Sequence, residues 1–100
     1  MNRPTVFEFL PELGHLRDEV VYAKVWENPD LNKRDRSLVT VAMLAALYRT
    51  DELRPHMRRA LDNGVTEAEL KALITHVAIY AGFPCGVQAG NAAIDVFGVE

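Results

Sequence analysis

Residues 61–77 read L-D-N-G-V-T-E-A-E-L-K-A-L-I-T-H-V, and this stretch decides the fold class. Gly64 can take the left-handed conformation that stops a helix, and Val65 supplies the apolar contact beyond it. Thr66 then opens a new helix, with Glu69 three residues later completing a capping box. Leu70, Leu73, Ile74, Val77 and Ala81 follow at helical spacing. A helix stop and a helix start thus sit back to back, with no strand signal between them.

The same punctuation extends in both directions. Upstream, Leu53, Met57, Ala60 and Leu61 form one apolar stripe, which predicts a helix capped by Thr50. Pro55 is tolerated there if it falls in the early turns. Asn32, with Asp35 three residues on, opens a helix to about Tyr48. Pro11 suits a first helical turn, and Leu13, Leu16, Val20 and Ala23 carry that helix to about Trp26, where Pro29 ends it. Downstream, Gly82-Phe83-Pro84 breaks the chain and a last helix runs from Pro84 to about Phe97. No hairpin-type alternation appears. The expectation is an all-α fold of five to six short helices, with residues 1–100 as a single domain.

Composition narrows the function classes. The 100 residues are 49% apolar and 25% charged, with a net charge of −3, which describes a globular chain rather than a disordered one. That charge offers no bulk field for nucleic acid or an anionic membrane. A single cysteine makes neither an internal disulfide nor a Cys-x-x-Cys pair. No apolar run is long enough to span a bilayer, and the first ten residues do not read as a signal peptide. Cytoplasmic location is the expectation. His15, His56 and His76 lack HxxxH or HExxH spacing, so no metal site is expected.

Two segments say more. Ser37–Tyr48 (S-L-V-T-V-A-M-L-A-A-L-Y) is apolar on nearly every side, and Leu73–Phe83 is similar. A helix without a polar face must be surrounded, and five short helices can scarcely surround two; the plain alternative is a central core hairpin in a monomer. A homo-oligomer follows as the expectation.

Candidate chemistry gathers near the Gly82 break. His76 and Tyr80, four apart, share one helix face. With Pro84 as the first residue of the last helix, Cys85 and Gly86 fall in its first turn, where unpaired N–H groups and the helix dipole suit an oxyanion. The same position favours a reactive Cys85 thiol. His56 lies one turn after Glu52. Arg58 and Arg36 could grip a carboxylate in bidentate fashion. Each also has a plain structural reading, with a histidine bonded in the core, a packed tyrosine, a lone buried thiol, and arginines paired with local acids.

These residues fall in stretches that carry a resemblance. VWENPDL (Val25–Leu31), RSLVTVAMLAAL (Arg36–Leu47), DELRPHMRRALDNGVTEAELK (Asp51–Lys71) and ITHVAIYAGFP (Ile74–Pro84) resemble the carboxymuconolactone decarboxylase family, particularly its 4-carboxymuconolactone branch in protocatechuate catabolism. The resemblance implies an alkyl hydroperoxidase D-like helical bundle assembled as trimers or hexamers. It also implies cofactor-independent loss of CO2 from a carboxylated lactone in aromatic catabolism. Arg36 or Arg58 would anchor the carboxylate, with Trp26 in the first matched stretch as a further substrate contact. The amide end that carries Gly86 and Cys85 would hold the oxyanion. His56 or His76 would deliver the proton, with Tyr80 beside the latter. Relative to the family, Ala72 stands where an acid is usual and Asn91 where a histidine is common. Pro84 and Val87 stand where the hydroperoxidase relatives carry a Cys-x-x-Cys pair. Two alternatives are an oligomeric binding protein for small acids and a single-cysteine redox protein.

Overall fold

The computed structural model describes residues 2–98, and among these it is helical with no strand. The chain divides into two compact units, one ending at Asn32 and the other beginning at Lys33.

The first unit holds α1 (Val6–Phe9), α2 (Pro11–Leu16) and a π-helical segment, Arg17–Val25. Helix α1 was not expected from the sequence. Thr5 caps it, and Glu8 answers through a capping box, which is the motif legible in T-V-F-E. The single helix expected from Pro11 to Trp26 instead loosens after Leu16 into wider turns, and the Trp26 N–H reaches the Val21 carbonyl five residues back at 2.8 Å. Phe7 lies over Gly14, with the Arg17 guanidinium 4.0 Å from its ring. None of this unit's described residues is buried. Val6, Phe9, Leu10, Leu13 and Leu16 all stay exposed.

The second unit contains α3 (Lys33–Ala46), α4 (Thr50–Asp62), α5 (Glu67–Tyr80) and α6 (Phe83–Phe97). Helices α5 and α6 pack along each other, as do α3 and α4, and α4 closes against α6. Leu53, Met57 and Ala60 are fully buried from α4 and meet Val41 and Ala45 of α3, Leu70 and Val77 of α5, and Ala89 and Ala92 of α6. Ser37 is a polar member of this interior, and its hydroxyl accepts from Asn63 Nδ2 at 2.9 Å. That bond ties the start of α3 to the end of α4.

The joint at residues 63–66 forms as expected. Gly64 has φ +102, its N–H donates to the Leu61 carbonyl and that of Val65 to the Ala60 carbonyl, and Val65 is buried. This is the paired-bond helix stop that an apolar residue seals. Thr66 and Glu69 form the capping box that starts α5. The same stop ends α3, where Tyr48 donates to Ala45 and Arg49 to Leu44. There the left-handed residue is Tyr48, at φ +61. The helix therefore ends at Ala46, short of the expected Tyr48.

Three local expectations are corrected. Arg49, not Thr50, occupies the N-cap of α4, and no side chain caps it. Pro55 is the sixth residue of α4, beyond the unpaired first turn, so the bond residue 55 would make to the Asp51 carbonyl is lost. Gly82, at φ +121, is the N-cap of α6, which makes Phe83 its first residue and Pro84 its second.

Ser37–Tyr48 and Leu73–Phe83 are not enclosed within the chain. Val39 and Met43 of α3, and Leu47 just past its end, are exposed at four-residue spacing. Ile79, Tyr80, Phe83 and Val87 are exposed on α5 and α6.

Candidate functional site

The groove that holds a sequence-predicted site residue lies between α3 and α5. It has a volume of about 500 Å³ and is walled by Leu38, Val39 and Ala42 from α3 and by Glu69, Ala72, Leu73, His76 and Val77 from α5. On a helix with 100° per residue, positions 69, 72, 73 and 76 share one face, so the capping box that fixes the start of α5 also sets where His76 projects. The His76 ring lies against Tyr80, with centroids 4.6 Å apart and planes tilted by 32°. Both side chains are exposed.

Glu69 was read from the sequence as a cap alone. It also reaches Arg34 at the start of α3, whose other guanidinium nitrogen is 2.9 Å from Asp35. The Thr66 N–H and the Arg34 guanidinium hold the Glu69 carboxyl below the usual carboxylate range. The groove thus has a fixed carboxylate at one end and an imidazole two turns away at the other. Arg34 was not singled out from the sequence. The helical step of seven from His76 back to Glu69, with Arg34 in the K-R-D-R run, was the available signal.

The other candidates are dispersed. None of Arg36, Arg58, His56 or Cys85 is in the wall of the His76 groove. His56 is half-buried on α4. Burial holds its imidazole below the ordinary value, Arg59 adds to this, and Glu52 opposes it. Arg58 is exposed, and Arg36 is half-buried at the start of α3 with its Nε shielded from solvent. Trp26 belongs to the first unit, where it caps the π-helical segment.

The expected oxyanion position at Gly86 is corrected. Because α6 begins one residue earlier than expected, the Gly86 N–H donates to the Gly82 carbonyl at 3.2 Å. The residue is buried against α5, where a Cβ would stand 2.5 Å from the Ala78 Cβ. Gly86 lets two helices touch. It does not leave an amide for a ligand. The Cys85 thiol is directed at the Ala46 carbonyl, 3.6 Å away, and is half-buried. Among the described residues no group of three or more His, Cys, Asp or Glu side chains is placed to hold a metal ion. Among the described residues no helix is long and apolar enough to cross a membrane.

Comparison with known proteins identifies the family. Residues 11–95 match the model of the carboxymuconolactone decarboxylase family. The chain is 43% identical over 90 residues to a 4-carboxymuconolactone decarboxylase of Acinetobacter baylyi, covering 90% of this chain and 67% of that protein. It is 37% identical over 71 residues to a nitrosuccinic acid decarboxylase of Metarhizium robertsii, covering 71% of this chain and 50% of that one. The chain therefore spans between half and two-thirds of the length of these relatives. With residues 11–95 matched, the chain belongs to the carboxymuconolactone decarboxylase family.

Proposed function

We propose that this chain is a cytoplasmic, cofactor-independent decarboxylase of a small carboxylated acid or lactone, of the 4-carboxymuconolactone type, working as a homo-oligomer. The observation that carries the reading is His76 in the wall of an apolar groove, in a chain similar to two proteins named as decarboxylases. Both relatives are named for substrates that lose a carboxylate.

The chemistry asks little of the protein. In a carboxylated lactone the C–CO2⁻ bond breaks, its electron pair moves through the conjugated double bond, and a dienolate forms as CO2 leaves. The protein neutralises the developing oxyanion and returns a proton to carbon. Of the two histidines open as donors, His76 is the better placed, because it faces the groove while His56 sits on α4. Tyr80, packed on the His76 ring, positions it. Arg36 and Arg58, the carboxylate anchors expected from the resemblance, lie outside the groove wall and have no part in this reading. The groove's apolar lining favours departure of a neutral CO2 from an anion, since desolvation raises the energy of the carboxylate.

Support for the oligomer comes from Val39 and Met43 of α3 and Leu47 just past its end, which are exposed. A second reading, a small-acid binder without turnover, draws on Ala72, which puts a methyl group in the groove wall one turn before His76.

The test is CO2 release from 4-carboxymuconolactone by the purified chain in chelator-treated buffer. Turnover lost in His76→Gln but kept in His56→Gln supports the assignment. Turnover unchanged in His76→Gln removes that residue from the site. Thermal stabilisation by small carboxylates without any CO2 release favours the binding reading.

A further inference from the structure

A second groove opens on the opposite side of α5. Positions 71, 74 and 75 point about half a helical turn away from the His76 face and form one wall, with Gly90, Ile94 and Phe97 of α6 as the other, enclosing about 370 Å³. Its origin is geometric. Helices α5 and α6 touch where Ala78 lies against Gly86. One turn further along α6, the next glycine, Gly90, has nothing within 4 Å of where its Cβ would stand. The missing side chain at Gly90 keeps the floor of the cleft open.

The lining has a definite polarity. Ile74, Ala93, Ile94 and Phe97 make it apolar, and Lys71 is the one charged residue of its lining. The Thr75 hydroxyl is turned back to the Lys71 carbonyl at 3.2 Å. Among the described residues the Lys71 ammonium has no acidic partner, in contrast to Arg34 and Arg54, which pair with Glu69 and Asp95. The volume lies within the range of small-molecule sites, and one cation over an apolar cleft selects for an anionic head on an apolar body.

We propose that the cleft between α5 and α6 binds a small monocarboxylate with a flat apolar body, its carboxylate on Lys71 and its ring over Gly90 between Ile74 and Ile94. The site is separate from the His76 groove and shares only α5 with it. It takes the ligand whether or not the His76 groove performs a reaction.

Benzoate is the probe, followed by amide chemical shifts of the full-length protein. The expected result is a saturable shift at Ile74, Thr75, Gly90, Ile94 and Phe97, with roughly millimolar affinity for so small a ligand in an open cleft. Lys71→Ala weakens binding roughly three- to fivefold, as for one exposed ion pair, and benzyl alcohol binds more weakly than benzoate. Gly90→Leu fills the floor and abolishes the shifts, with circular dichroism verifying that the variant is folded. Should Gly90→Leu fail to fold, Lys71→Ala and benzyl alcohol decide the matter. Shifts centred on Leu38, Ala42 and His76, no shift at tens of millimolar benzoate, or equal affinity in Lys71→Ala would each overturn the proposal.

Discussion

Two glycines four residues apart in α6 should respond to the same substitution with opposite signs. In Gly86→Ala the new methyl carbon would stand 2.5 Å from the Ala78 Cβ and 3.0 Å from its Cα. Carbon atoms in contact prefer about 3.5–4.0 Å, so α5 and α6 must part by roughly 1 Å at their closest point. Overpacking of this kind costs about 1–3 kcal/mol, against a gain of about 0.5–1 kcal/mol from replacing a helical glycine. The obstacle includes the Ala78 backbone, which cannot swing aside, so the net is a loss of about 1–2 kcal/mol. In Gly90→Ala the methyl group meets open space, and only the gain remains. Urea unfolding at one fixed protein concentration reads both changes, since association would shift the midpoint with concentration. Gly86→Ala lowers the midpoint, Gly90→Ala raises it, and Ala78→Gly added to Gly86→Ala recovers part of the loss. A Gly86→Ala variant as stable as Gly90→Ala would refute the close helix contact at Ala78.

Other outcomes follow from the same coordinates. Tyr48→Gly relieves a left-handed residue at the end of α3 and raises stability by about 0.5–1 kcal/mol in thermal melts. Thr66→Ala removes the cap of α5 and costs about 1 kcal/mol. His56 binds its proton less readily folded than unfolded, so its contribution is fully present above the ordinary histidine value. That contribution is lost as pH falls through 6.5 toward the lower folded value. The drop in melting temperature between pH 7.5 and 5.5 is therefore smaller in His56→Gln than in the parent chain, and an equal drop would show that His56 is not the group responsible.

The helices were legible because their ends are written in residue types with one mechanism each. Gly64 and Val65 stop a helix, Thr66 and Glu69 start one, and the Leu53–Met57–Ala60 stripe marks a buried face. The errors lie where backbone geometry had no chemical marker. Tyr48 adopts a conformation that sequence reading reserves for glycine, so α3 seemed longer than it is. A shift of one residue at Gly82 changed the reading of Gly86 from an open amide to a helix contact. The loosening after Leu16 left no trace in a spacing that still fits an ordinary helix. At the site, the pairing of His76 with Tyr80 could be read from their spacing. Glu69 was hidden by its better-known role as a cap, and Arg34 because its partner lies 35 positions away.

The segment before Lys33 has no interior of its own. Its helical pieces run from four to nine residues, each below the length at which a helix persists alone in water. Such a segment has no melting temperature belonging to it. A surface that took in Phe9, Leu13 and Leu16 would set the temperature at which these turns come apart, and cleavage after Arg17 or Lys24 would report its loss.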